Sequence, residues 1–185
     1  MFPGMATHTQ TRNGFAPPQE SNDVGKLHEM LEEFSTVMLG TFEQTGGQPS
    51  LRARPMSVAR LDPDCTLYFI TGVTTDKVDE AMSTGAGHAF GQSKTRYLWL
   101  RGEFAITRDR GLLRELWSKL NDVWFDGPDD PRAAVMVLRP IEAELWDVSG
   151  TKGLRFLTES AKALLTGQRL PNEGSGERHE KVNVR

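Results

Sequence analysis

The chain has little of what defines several protein classes. Cys65 is the only cysteine among its 185 residues, so an intrachain disulfide is impossible and a reducing, cytoplasmic setting is expected. The apolar runs are too short to span a bilayer, and residues 1–22 lack the apolar core of a secretion signal. A formal net charge of −3 provides no basic footprint for nucleic acid. The sequence therefore predicts a cytoplasmic protein without membrane or nucleic-acid partners.

Metal-binding and nucleophile motifs are also missing. The histidines are far apart along the chain, and no two of them have the spacing of metal ligands. Neither a Gly-x-Ser-x-Gly motif nor a Ser/His/Asp pattern occurs. We therefore predict no metal site, and we expect any catalysis to come mainly from a bound cofactor.

The residues that are present suit one globular domain. Hydrophobic residues make up 37% of the chain and charged residues 25%, which is typical of such domains. We predict a flexible segment at 1–22, one folded domain at 23–166 and a polar tail at 167–185. Many short strands joined by turns, with helices between them, predict a mainly β (α+β) fold, an antiparallel barrel with flanking helices.

Helices are predicted where apolar residues recur at helical spacing. The first begins at Ser21 or Asn22, and a short one begins at Thr74 or Thr75 and ends near Gly85. A third carries Leu112, Leu113, Leu116, Trp117 and Leu120 on one face, and a last one covers residues 154–165.

Strands are predicted at 36–42, around Arg52, and at 66–71, 89–92, 97–107 and 133–147. The turn sequence Asp62-Pro63-Asp64 predicts that the Arg52 strand and strand 66–71 form an antiparallel pair. Gly102 is predicted to mark a bulge or a close approach of two backbones, and Pro140 must lie at a bulge or an edge.

One group of residues points directly to a ligand. Arg52 and Arg54 are two residues apart in a predicted strand, so they project from the same face. Thr71 ends the next strand, and Thr75 precedes a helix whose free backbone N–H groups attract anions. Lys77 lies in the first helical turn, where its charge opposes the helix dipole unless an anion is bound. Together these residues predict a phosphate site.

The same residues also have an ordinary interpretation. Arginines on strands are often solvated, and Lys77 has Glu80 within reach one turn later as an ion-pair partner. Cys65, in a turn without a cationic neighbour, is interpreted as structural, and Trp117 as part of the core. The support for a ligand comes from several such residues meeting in one place, more than from any one of them. Both interpretations stay open.

Several motifs follow one another in a familiar order. These are Arg54-Pro55-Met56, the strand that ends in Thr71, the Thr75-Asp76-Lys77 helix start and Arg101-Gly102-Glu103. Their order and spacing resemble the pyridoxamine 5′-phosphate oxidase-like, FMN-binding split-barrel superfamily. The later segments 124–131 and 144–147 are similar to its general stress protein 26 branch. The resemblance runs from about Asp23 to the C-terminus and implies an antiparallel split β-barrel.

This resemblance implies that FMN binds at the interface of a homodimer. Arg54 would reach the phosphate or the flavin edge, and Thr75, Asp76 and Lys77 would hold the phosphate. The other implied contacts are the backbone of Pro55, Met56 and Ser57 along the ring, Ile70 and Thr71 at the ring and ribityl chain, Tyr97 at a polar flavin-facing position, and Trp124 over the ring from the partner subunit.

Two positions depart from the pattern of the oxidases proper. Asp76 stands where they carry an arginine, so one phosphate cation is missing and Arg52 is expected to substitute. Ala59 stands where a lysine would help to bind the substrate phosphate, and the C-terminal oxidase signatures are absent. We therefore do not expect vitamin B6 oxidation.

Three functions remain open. The first is a flavin-dependent oxidoreductase that passes electrons between a reduced nicotinamide and an unknown acceptor. The second is a non-catalytic protein that stores or senses FMN. The third is a deazaflavin-dependent reductase or a haem-binding relative, which the lack of a wider basic groove and of a suitable histidine disfavours.

Overall fold

The computed structural model describes residues 20–45, 48–148 and 178–184. Its helices are α1 (Glu20–Leu31), α2 (Asp76–Thr84) and α3 (Arg110–Leu116), with a 3-10 helix at Lys119–Val123. Its strands are β1 (Thr36–Thr45), β2 (Gln48–Ser57), β3 (Arg60–Leu61), β4 (Leu67–Gly72), β5 (Ala86–Gln92), β6 (Arg96–Thr107), β7 (Ala133–Asp147) and β8 (Arg178–Asn183). The helix predicted at 154–165 and most of the segment 1–22 lie outside the described residues.

The strands form one antiparallel sheet in the order β2-β1-β5-β6-β7-β4-β3, with β8 added to β7. β2 and β3 are consecutive in the chain but lie at opposite ends of this order. Two backbone bonds mark the crossing between them: Val58 N–H donates to the Ser35 carbonyl at 2.9 Å, and Ala59 N–H to the Tyr68 carbonyl at 2.8 Å. The sheet therefore curls into a split barrel, which confirms the predicted fold class.

β7 is the strand that organises the barrel. It pairs with β6 along its length, while its other edge pairs first with β4 and then with β8. The pairing with β6 shifts register between Arg101 and Gly102, where Gly102 lies opposite Pro140. A Cβ on Gly102 would lie 2.2 Å from the Arg139 carbonyl oxygen. Both local predictions, for Gly102 and for Pro140, are confirmed.

Side chains alternate between the two faces of the barrel wall. The inner face of β1, β4 and β6 carries fully buried Leu39, Phe69 and Leu100, which belong to the main core with α1. A second cluster lies on the opposite face, where α3 covers Ile70, Val135 and Val137. In the described residues, no helix is long and apolar enough to cross a membrane.

The predicted pairing of the Arg52 strand with strand 66–71 is wrong. β2 pairs with β1 from Thr36↔Ser57 to Thr45↔Gln48, and β4 pairs with β3 and β7. The turn after Asp62 does form, since Cys65 N–H donates to the Asp62 carbonyl at 2.9 Å. This turn joins the two-residue β3 to β4. The chain crosses from β2 to the other end of the strand order before it reaches the turn.

The third predicted helix is also shorter than expected. α3 ends at Leu116, Trp117 is extended, and Leu120 in the following 3-10 helix is 76% exposed. Trp117 Nε1 donates to Asp122 at 2.8 Å, and such local side-chain bonds stabilise an alternative to the continuous helix. Trp117 itself packs in the second cluster, as predicted.

The range predicted as a polar C-terminal tail contains β8. Its Val182 is buried in the main core, and Lys181 forms an ion pair with Glu144 at 2.7 Å. Charged and polar residues flank Val182 along this strand, so composition alone indicated a solvated segment, whereas Val182 itself is buried.

Candidate functional site

Two neighbouring arginines project from the inner face of β2. Arg52 lies opposite Thr41 of β1, and Arg54 lies opposite Leu39. Thr41 and Leu39 are buried residues of the inner face. Arg52 is half exposed and bonds Glu43 at 2.7 Å. The predicted common face of Arg52 and Arg54 is therefore present, but Arg52 already has a carboxylate partner.

Arg54 forms the centre of a partly buried network. Its two terminal nitrogens donate to the two oxygens of Glu80, Nη1 to Oε2 at 2.9 Å and Nη2 to Oε1 at 2.8 Å. Nη1 also donates to the Thr41 hydroxyl at 2.8 Å, and that hydroxyl donates to Glu80 Oε2. The Arg54 hydrogen bonds, followed by the one from Thr41, lower the pKa of Glu80 despite its burial. Glu80 is therefore held ionised inside the domain.

Lys77 forms no ion pair within the described residues, although the charge of its neighbour Asp76 acts on it. Lys77 lies one turn before Glu80 on α2 and is half-buried. Burial, and then the neighbouring Arg54 guanidinium, lower the pKa of Lys77. The alternative interpretation, an ion pair between Lys77 and Glu80, does not hold in the structure, because Arg54 occupies both oxygens of that carboxylate.

The start of α2 lies where the sequence predicts it. Thr75 is the N-cap residue, but its hydroxyl donates to the Gly72 carbonyl at 2.9 Å instead of capping the helix. That bond ties the end of β4 to the beginning of α2. Thr71, at the end of β4, is buried, and its hydroxyl has no hydrogen-bond partner among the described residues. Asp76 is exposed beside Lys77. Thr71, Thr75, Asp76 and Lys77 thus belong to one short connection.

Ile70 and Thr71 do not share a surface. Burial along β4 alternates, so that Thr71 lies on the face of Phe69 and Ile70 lies on the face covered by α3. At the end of β2, Met56 packs against the main core, while Pro55 and Ser57 are exposed. Among the described strands, β2 pairs only with β1, so the other backbone edge of residues 55–57 has no strand partner there.

The outer face of the barrel is aromatic. Tyr97 lines a groove of about 570 Å³ together with Met38, Phe90, Trp99 and Trp146. Beside it, the His88 ring stacks on Trp99 with 5.7 Å between centroids, and Trp99 Nε1 donates to His88 Nδ1 at 3.0 Å. Tyr97 therefore lies on the opposite face of the sheet from Arg54.

Trp124 follows the 3-10 helix and is 74% exposed. Leu120 and Val123 beside it are exposed to a similar degree, so the three form an apolar surface patch. The structure thus brings Arg52, Arg54 and the α2 start to one side and leaves Tyr97 and Trp124 on separate surfaces of the single chain.

Two residues of this network were not anticipated as functional, Thr41 and Glu80. Thr41 continues the buried series Val37, Leu39 in β1, and Glu80 lies among buried Val78 and Ala81 in α2. A polar residue at a position of buried periodicity needs a partner, and that was the available signal.

Other reactive groups are accounted for. Burial raises the pKa of Cys65 to about 12, and its Sγ donates to the Val24 carbonyl at 3.6 Å, which agrees with a structural role. Across the part of the chain that the structure describes, no three metal-binding side chains come together.

The chain forms a split barrel, with Arg52 and Arg54 on its edge strand β2. Comparisons with known proteins assign this fold to a family. Residues 22–172 match the family model described as pyridoxamine 5′-phosphate oxidase like, and the chain belongs to this family, in its general stress protein 26 branch. A comparison with curated proteins gives no significant match.

Solved structures agree with this assignment. A candidate general stress protein 26 from Jannaschia sp. CCS1 is 30% identical, with a TM-score of 0.59 over 88% of this chain and 98% of that one. A general stress FMN/FAD binding protein from Xanthomonas citri is 21% identical, with a TM-score of 0.57 over 70% and 92% of the two chains. A pyridoxamine 5′-phosphate oxidase-related, FMN binding protein from Nostoc punctiforme is 13% identical, with a TM-score of 0.52 over 86% and 93%.

Proposed function

We propose that this protein binds FMN, with the phosphate at the start of α2 and the ring along the free edge of β2. The observation that carries the proposal is Lys77, a half-buried ammonium beside Arg54 that forms no ion pair with any described residue. A bound phosphate would supply the missing negative charge. The unpaired Thr71 hydroxyl and the uncapped start of α2 offer further hydrogen bonds to the same ligand.

The family supports a flavin in particular. Relatives from Xanthomonas citri and Nostoc punctiforme are described as FMN/FAD binding and FMN binding. In this chain the exposed backbone at 55–57 has an unpaired edge next to Arg54, where a flat ring can lie against the strand. A flavin supplies hydride and electron transfer when it is bound.

Two copies of the chain would then enclose the ring. The outer face of the barrel exposes Met38, Leu51 and Tyr97, and the 3-10 patch exposes Trp124, which are large apolar side chains that a subunit interface could cover. We propose a homodimer that buries these surfaces and about 2,000 Å² or more in total. Trp124 of one copy is the proposed cover for the ring bound to the other.

The activity we favour is an FMN-dependent oxidoreductase in the cytoplasm. Storage or sensing of FMN is the second candidate, and one observation favours it. The carboxylates on the inner face of β1 and α2, Glu43 and Glu80, are both engaged by arginines, so neither is free to transfer a proton to a substrate.

Spectroscopy and titration test the proposal. The absorption spectrum of the purified protein should show a flavin, and fluorescence titration should give tighter binding of FMN than of riboflavin or FAD. Anaerobic titration with NADH and NADPH then separates the two activities. If the bound flavin is reduced no faster than free FMN, with every common acceptor tried, the oxidoreductase proposal is wrong. Storage or sensing of FMN would then be the remaining function.

A further inference from the structure

The contact between Arg54 and Glu80 has a specific orientation. Glu80 faces the end of the guanidinium, with one carboxylate oxygen on Nη1 and the other on Nη2. Thr41 adds a third contact on Nη1. The Glu80 side chain is 8% exposed and Thr41 is fully buried, so both partners are fixed by the core.

An arginine side chain has five N–H groups in one plane. The end-on pair with Glu80 leaves the Nε–H and the second hydrogen of Nη2, which point in the same direction along one edge. None of the described residues accepts a hydrogen bond from Arg54 Nε. The Arg54 side chain is 27% exposed, so this edge is accessible to a ligand and matches the spacing of two phosphate oxygens.

We propose that Glu80 is a positioning residue: it grips the end of Arg54 so that the Nε/Nη2 edge faces the phosphate of the flavin. The proposal rests on the phosphate site described above. Thr41 belongs to the same device, because its hydroxyl bonds both Arg54 and Glu80 and so fixes their common plane.

A simpler electrostatic role for Glu80 predicts the opposite result. A buried carboxylate next to a phosphate site repels the ligand, so its removal would strengthen FMN binding. If Glu80 instead orients Arg54, its neutralisation frees the guanidinium to rotate, and FMN binding weakens. The sign of the change therefore separates the two roles.

The test compares Glu80→Gln with the matched variant Glu43→Gln. Glu43 holds Arg52 by a single exposed bond of 2.7 Å on the same sheet face, so both variants remove one carboxylate from one arginine. We expect Glu80→Gln to weaken FMN by about tenfold or more and riboflavin by less than about twofold, with Glu43→Gln close to wild type. Unchanged or tighter FMN binding by Glu80→Gln would overturn the proposal.

A second measurement follows the Arg54 side chain of the wild-type protein directly. In a nitrogen–proton NMR spectrum, an immobilised Arg54 gives a resolved Nε–H signal, which Arg54→Lys identifies by its loss. We expect this signal in the free protein and a shift of it when FMN, but not riboflavin, is added. A signal that does not move at saturating FMN contradicts the role of Glu80. Equal wild-type affinity for FMN and riboflavin would instead overturn the phosphate site itself.

Discussion

The two faces of the β1–β2–β5–β6 wall use the same strands for different tasks. On the inner face, buried aliphatic residues surround an ionic network in which Glu80 and Thr41 bond the end of the Arg54 guanidinium. On the outer face, Met38, Tyr97 and the stacked rings of His88 and Trp99 are partly exposed and carry little charge. The inner face thus provides the core together with the proposed phosphate site, and the outer face carries the surface proposed for the second subunit.

The largest expected effect comes from the inner face. Leu100→Ala removes a fully buried side chain of β6 and should lower the free energy of unfolding by about 2–5 kcal/mol. Urea denaturation at fixed protein concentration measures this. Tyr97→Ala, on the outer face of the same strand, is the control, and a loss of stability as large as that of Leu100→Ala would contradict the assignment of the two faces.

The next effect concerns the cations of the inner face. Lys77→Ala should weaken FMN binding by about 1.5–3 kcal/mol and riboflavin by much less, because a charge-assisted contact to the phosphate is lost. Arg52→Ala should cost less than about 1 kcal/mol, since Arg52 is half exposed and paired with Glu43. Fluorescence titration measures the dissociation constants of FMN and riboflavin for each of the two variants. A larger loss for Arg52→Ala would show that Arg52 does substitute for the missing arginine at Asp76.

The two faces also differ in how much of their structure could be predicted from the sequence. The bounds of β7, the register shift at Gly102 and the C-cap at Gly85 depend on local chemistry and were predictable. The partner of Glu80 was not, because Lys77 is three residues away in the chain and Arg54 is 26. A helical spacing favours the near pair, and only the packing of α2 on β1 shows that the distant one forms.

The third prediction tests the outer face. Met38 is 41% exposed there, and Met38→Glu would place a charge in the proposed subunit interface. We expect the dimer dissociation constant to rise by about tenfold or more, because a buried unpaired carboxylate is costly. Met82→Glu on α2, where the side chain is 62% exposed, is the matched control. Light scattering across a dilution series reads both, and equal dissociation in the two variants would place the interface elsewhere.

The smallest effect is a pH dependence that distinguishes the two faces. Burial, and then the nearby Arg101 guanidinium, lower the pKa of His88 on the outer face, while Glu142 raises it. The unfolded histidine therefore binds a proton first, and stability decreases as the pH falls below about 6.5 and through the folded pKa. A protonated Nδ1 would also lose the hydrogen bond that it accepts from Trp99.

On the inner face, Glu80 loses its contribution to stability at a lower pH. The hydrogen bonds from Arg54 and then Thr41 lower the pKa of Glu80, so its contribution is complete above the pKa of an unfolded glutamate, about 4.3, and is lost as the pH falls through the folded value. Urea denaturation as a function of pH should therefore show two separate decreases. His88→Phe should abolish the upper one, and Glu80→Gln should reduce the lower one, part of which remains because hydrogen bonds from Arg132 also lower the pKa of Asp130. If His88→Phe leaves the decrease below pH 6.5 intact, the stacked histidine is not its source, and the neutral ring on the outer face makes no pH-dependent contribution to stability.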